Sequence, residues 1–112
     1  PRSARAGRTV TSYMKTYDLS LAAEGDLRDI WRYTYGTWGV EQADRYFDQI
    51  EACCDVLGDG RSRSKSFDKL PDDIRVHRCE HHYIFWLVGD RPIIVAILHE
   101  RMDFVNRLKD RL

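Results

Sequence analysis

Two amphipathic helical stretches with almost nothing between them constrain this chain more than any other feature. The first places Ala23, Leu27, Ile30, Trp31, Thr34 or Tyr35, and Trp38 on one face at intervals of three and four. The second repeats the period from residue 40 to 57 with Ala43, Tyr46, Phe47, Ile50, Cys53 or Cys54, and Leu57. Gly36 and Gly39 are expected to stop the first helix. A link of three residues then forces an antiparallel hairpin. Ser20 sits where an N-cap belongs, with Glu24 and Asp26 in the opening turns, where the helix dipole favours acids. Gly58 and Gly60 close the second helix.

A hairpin of this kind must bury its apolar face, and the rest of the chain supplies the surface. Residues 16–20 alternate like a short strand. Residues 74–80, 82–88 and 92–100 are rich in β-branched and aromatic side chains and read as a three-strand meander. Residues 93–98 are apolar on both faces, as an internal strand must be. A short polar helix over 103–112, with Phe104, Val105 and Leu108 on its apolar side, ends the chain. The expected order is β-α-α-β-β-β-α, an α+β domain with the hairpin packed on one face of a small, mainly antiparallel sheet. The folded domain is expected over 14–112. Residues 1–13 are expected to be a disordered or cloning-derived basic tail.

Among 112 residues, 43% are hydrophobic and 12% aromatic, enough to fill one core. The longest apolar run, 93–98, is too short to cross a bilayer. With 18 basic and 18 acidic residues the formal charge is zero, which argues against an autonomous nucleic-acid binder. That zero is segregated: residues 18–59 hold ten acids and three bases, and residues 60–112 hold eleven bases and eight acids. Three cysteines, two of them adjacent, do not read as a disulfide framework, so a reducing cytoplasm is the simpler home and Cys53 and Cys54 read as core filler.

Candidate chemistry is thin. His77, Cys79 and His81 alternate, so a strand would point all three to one face, but a structural zinc site needs a fourth ligand; no metal and no cofactor is expected. Gly58 and Gly60 follow a helix rather than a strand, which excludes a phosphate loop. His99 and Arg101 at a strand end fit either a general base with a phosphate clamp or a structural tie. Arg61, Arg63, Lys65 and Lys69, with Phe67 among them, form a basic loop suited to an acidic surface or simply to water. Trp31, Tyr35, Trp38, Tyr46 and Phe47 offer more aromatic area than a small sheet can cover, so part of it is either core or an exposed partner site.

The residues Leu19, Ser20, Ala23, Asp26, Leu27, Ile30, Tyr33, Trp38, Gly39, Gln42, Ala43 and Tyr46, in that spacing, resemble the ParE toxins of type II toxin–antitoxin modules. Ile74 with Arg75, His82 with Phe85, and the run ILHERMD at 97–103 extend the resemblance over nearly all of 14–108. The chain departs from the pattern in the loop, where only GDGR stands, at Asp73 in place of a glycine, and at Trp86 in place of a tyrosine. The resemblance implies the two-layer RelE/ParE fold and a toxin that inhibits DNA gyrase and blocks replication. It further implies neutralisation by a ParD-like antitoxin in a hetero-oligomer. On that reading no residue is catalytic. Trp31, Tyr35, Trp38, Tyr46 and Ile50 are expected to meet the antitoxin, and Arg61, Arg63, Lys65, Arg101 and Met102 the target. The alternative is a RelE-like, ribosome-dependent mRNA endonuclease using His99, Arg75, Arg78 and Arg101; a second alternative is a non-toxic interaction module. From residue 14 onward the chain carries 15 bases and 18 acids, which fits an RNA-cutting surface poorly.

Overall fold

The computed structural model describes residues 16–60, 66 and 69–112. The tail at 1–13 and the loop residues Arg61, Arg63 and Lys65 lie outside the described residues. In chain order the elements are β1 (Asp18–Leu19), α1 (Leu21–Trp38), α2 (Val40–Gly58), β2 (Ile74–Cys79), β3 (His82–Leu87), β4 (Ile93–His99) and α3 (Phe104–Lys109). This is the expected order.

Ser20 caps α1, its side chain accepting the Ala23 N–H at 3.1 Å. Gly36 does not stop the helix, which runs on to Trp38; an exposed glycine costs a helix only about 1 kcal/mol. The break falls on Gly39 alone, at φ 94°, a conformation that L side chains rarely adopt. Its N–H closes α1 onto Tyr35 and its carbonyl accepts the Ala43 N–H to open α2. One residue does the work expected of three.

The sheet order is β1-β4-β3-β2, with β1 parallel to β4 and the other pairs antiparallel. The apolar run of β4 is therefore internal. The hairpin covers one face, where Leu27, Phe47, Ile50 and Leu57 meet Ile84, Ile94 and Ile97. On the opposite face Leu70 and Leu108, the latter from α3, cover part of a second cluster around Phe85, Ile74 and Val95. A bulge lets both faces of β4 be used: Phe85 pairs Ala96 and Trp86 pairs Ile94, so Val95 is the extra residue.

Because β1 is two residues long, the edge of β4 beyond Ile94 has no strand beside it among the described residues. Side chains take its place. The Ile97 N–H donates to Asp26 Oδ2 at 2.8 Å, and the Val95 carbonyl accepts from Arg111 Nη1 at 3.1 Å. Arg111 and Asp26 are themselves joined by two hydrogen bonds of 2.6 and 2.9 Å. Asp26 is thus a bracket between α1, β4 and the C-terminus, beyond the dipole partner its position suggested. It holds the Arg111 guanidinium above its ordinary pKa.

The cysteine expectation needs correction. Cys53 and Cys79 form a disulfide with a Cα–Cα distance of 6.2 Å, joining α2 to the edge strand β2; Cys54 is buried core. Pairing across 26 residues depends on how α2 lies over the sheet, which periodicity does not specify.

Arg111→Ala is expected to lower the unfolding free energy by about 2–3 kcal/mol, less than for a fully buried pair because the Arg111 side chain is 22% exposed. A lower urea midpoint at unchanged slope reads it. For the bridge, thiol titration of the unfolded chain should find two more thiols after reduction than before. Reduction should lower stability by about 3 kcal/mol for a loop of this length.

Candidate functional site

The period that buries Ala23, Leu27 and Thr34 of α1 sets Trp31, Tyr35 and Trp38 one step around the helix. Trp31 is half-buried and lies flat on Tyr35, with ring centroids 5.0 Å apart and planes 8° apart. Its indole N–H donates to Asp44 Oδ1 of α2 at 3.4 Å. Tyr35 is 51% and Trp38 70% exposed, so the outer part of this stripe is open to a partner. Ile50, expected beside them, is fully buried under the hairpin and offers no surface: it sits on the core stripe with Phe47 and Cys54.

Tyr46 belongs elsewhere. It projects from the opposite flank of α2 onto the turn between β2 and β3. There its hydroxyl accepts the His81 backbone N–H at 3.3 Å and lies 2.6 Å from His82 Nδ1. With the backbone donating, the hydroxyl proton is directed at Nδ1, and the His82 ring proton belongs on Nε2. Burial, with His99 and His81 adding to it, pushes His82 down to about 4. Burial likewise raises Tyr46. His99 crosses His82 edge-on at 5.1 Å, paired with it across β3 and β4, and its Nδ1 accepts the Arg101 N–H at 3.1 Å. At the rim, Glu100 joins His81 at 3.0 Å and Arg78 at 2.7 Å; the His81 hydrogen bond foremost, with Arg78 beside it, holds its carboxyl below the usual range.

The residues named for RNA cleavage are not gathered around one point. Arg75 and Arg78 are three apart on β2 and so leave opposite faces of the sheet. Arg75 Nη1 donates to the Asp72 carbonyl, whereas Arg78 lies over the Tyr83 ring and pairs with Glu100. His99 keeps company with His82, which sequence reasoning overlooked. Arg101 and Met102 are exposed in the turn before α3. Of the three alternating residues weighed for zinc, Cys79 is bonded to Cys53 and His81 to Glu100. Among the described residues no group of three His, Cys, Asp or Glu side chains is placed to hold a metal ion. No described helix is long and apolar enough to cross a membrane.

Residues 17–104 match the family model described as the ParE toxin of type II toxin–antitoxin system, parDE. The chain belongs to the ParE toxin family. It is 46% identical over 101 residues to Toxin ParE of Escherichia coli, a match covering 88% of this chain and 98% of that one. Toxin ParE1 of Caulobacter vibrioides is 34% identical over 90 residues, covering 80% and 94%; Toxin ParE1 of Mycobacterium tuberculosis is 34% identical over 94 residues, covering 82% and 96%. A chain of the chromosomal ParDE TA system from P. aeruginosa shares the fold at a TM-score of 0.66 and 18% identity, over 77% of this chain and 96% of its own length.

The residues that carried the ParE resemblance have visible physical roles. Ser20 caps α1, Asp26 brackets β4, Gly39 makes the turn and Tyr46 holds His82. The last pair gives a pH dependence with a definite sign. Unfolded, His82 takes up a proton near its ordinary 6.5; folded, it resists until about 4. Stability from this site is therefore full above about pH 6.5 and is lost as the pH falls to about 4, by about 3 kcal/mol in all. Urea midpoints across that range measure it. Tyr46→Phe deletes the donor that favours the neutral ring, so an NMR titration should show the His82 pKa rising.

Proposed function

We propose that this ParE-family chain acts in the cytoplasm as a toxin that binds DNA gyrase and blocks replication, and that a ParD-class antitoxin holds it silent in a hetero-oligomer. The observation carrying the reading is the family match across residues 17–104, with the arrangement of the basic groups in support. Arg75 and Arg78 leave opposite faces of the sheet and Arg78 is spent on Glu100, which suits docking to proteins better than a concave cationic surface for RNA. Arg101 and Met102, exposed ahead of α3, are the target-facing residues of this reading, with Arg61, Arg63 and Lys65 of the loop. Trp31, Tyr35 and Trp38 face the antitoxin in this reading. In the cytoplasm the thiol pool would set how much of the Cys53–Cys79 bridge is oxidised.

One observation favours a second reading, cleavage of mRNA on the ribosome. Tyr46, His82 and His99 stand in sequence at one end of the sheet, three groups able to exchange a proton. A supercoiling assay with purified gyrase separates the two. Inhibition that the antitoxin reverses is the expected result, with Arg101→Glu weakening it at least tenfold and leaving the fold intact. Unaffected supercoiling together with codon-dependent mRNA cleavage would establish the nuclease instead.

A further inference from the structure

The turn between β2 and β3 is fastened to α2 at two points. Tyr46 and Cys53 stand seven residues apart, about two helical turns, so both leave the same flank of α2. Tyr46 hydrogen-bonds the His81 N–H and the His82 ring, and Cys53 is bonded to Cys79. Cys79 and His82 are partners in the antiparallel ladder, which leaves Glu80 and His81 to make the reversal. Glu80 does so at φ 54°, a conformation costly for a residue with a side chain, and α2 supports it from above. The support is passed on. His82 pairs with His99 across β3 and β4, and the two rings meet edge to face. The His81 carbonyl accepts the Glu100 N–H at 2.8 Å. His99 then shapes the exposed turn that follows: its Nδ1 accepts the Arg101 N–H and its carbonyl accepts the Met102 N–H at 2.9 Å. A line of contacts thus runs from Cys53 through the β2–β3 turn to Arg101 and Met102. The two sulfurs are placed for reversible chemistry. Cys53 is half-buried, whereas Cys79 is buried with its Sγ 3.6 Å from the Gln49 carbonyl. That carbonyl gives a reduced Cys79 thiol an acceptor without movement of the strand. Cys54 is buried and outside the bridge.

We propose that the Cys53–Cys79 bridge is a redox clasp on the target-facing turn: oxidised, it holds Arg101 and Met102 in one arrangement; reduced, it lets the β2–β3 turn, and with it that arrangement, loosen within the native fold. The proposal rests on the gyrase reading above and adds its regulation. A thiolate of the glutathione class attacks Cys53 Sγ, the more accessible sulfur. The Cys53–Cys79 bond breaks and its electron pair leaves on Cys79 Sγ, which takes a proton and hydrogen-bonds the Gln49 carbonyl. A second thiolate attacks the mixed disulfide, frees Cys53 and leaves as the small-molecule disulfide. Two electrons pass from the two small thiols to the bridge; the small disulfide closes it again by the reverse steps. After reduction the hold of α2 on the turn passes to the Tyr46 hydroxyl, whose bonds open far more readily than a covalent link. A loosened turn must be ordered again when the target docks, and that entropy subtracts from affinity. Oxidation therefore strengthens target binding without adding a contact. In the chain-entropy account the bridge raises global stability through the unfolded chain, whereas the clasp acts on the native one.

The test compares the full chain bridged, the same chain in excess reduced glutathione, and Cys53→Ala, with circular dichroism to check that each is folded. Native-state amide exchange followed by NMR reads the clasp. Reduction should speed exchange at His81, Glu100, Arg101 and Met102 by about tenfold or more and leave Ile97 unchanged. Cys53→Ala should reproduce that pattern, and glutathione should not alter it further. In supercoiling assays the reduced chain and Cys53→Ala should each inhibit gyrase about threefold or more weakly than the bridged chain. Acceleration of every amide alike, Ile97 included, or of none, would make the bridge a staple of the fold and overturn the proposal. So would a bridge that stays closed in excess glutathione. Local acceleration with equal inhibition by all three forms would overturn it as well. Absence of inhibition from all three forms would sink the gyrase reading instead, and the exchange rates would still decide whether the clasp exists.

Discussion

The carboxylate of Asp26 is the joint on which this small domain closes. β1 is too short to cover the edge of β4, and an internal strand with bare N–H and carbonyl groups costs more than a domain of this size can tolerate. Asp26 reaches from α1 to the Ile97 N–H, and Arg111 reaches back from the chain end to the Val95 carbonyl and to Asp26 itself. The hairpin, the sheet and the C-terminal segment are tied through one ion pair. The bulge at Val95 belongs to the same arrangement: it lets β4 supply adjacent Val95 and Ala96 to the cluster beneath α3 and still present Ile94 and Ile97 to the hairpin.

The two flanks of α2 then divide the labour. A helix that buries one stripe against a sheet necessarily offers two others, each a hundred degrees or so away. One bears Tyr46 and Cys53 and is bound to the turn between β2 and β3, by a hydrogen bond to His82 and a disulfide to Cys79. The other bears the five acids and adjoins the aromatic stripe of α1. The first flank secures the hairpin to the sheet. The second is turned away from the sheet and joined to α1 through the bond from Trp31 to Asp44.

Much of the fold was legible because it rests on periodicity. Intervals of three and four in the helices, alternation in the strands and a double-sided apolar β4 led to the element order and to the internal strand. The site was less legible. Tyr35 and Trp38 share the period of the apolar stripe, so the sequence left open whether they are core or surface, and the packing of the hairpin exposes them. Ile50 does not belong with them, because the same period places it on the buried line. His99 stands out in the sequence, but its neighbour His82 and the hydroxyl above it do not, for Tyr46 and His82 are 36 positions apart. Arg111 carried no local signal. Asp26 had a sufficient local reason in the helix dipole, so its position did not point to Arg111 either.

The sequence by itself determined which residues must turn inward, where the chain must reverse and which family pattern it carries. These follow from local geometry, the repeat of side-chain direction along a helix or strand. Only the tertiary structure decided which polar groups complete one another: Asp26 with Arg111 and Ile97, Tyr46 with His82, and Cys53 with Cys79. Each joins residues far apart in the chain, and their meeting depends on the register between packed layers. A linear period says which way a side chain points; it does not say what waits there.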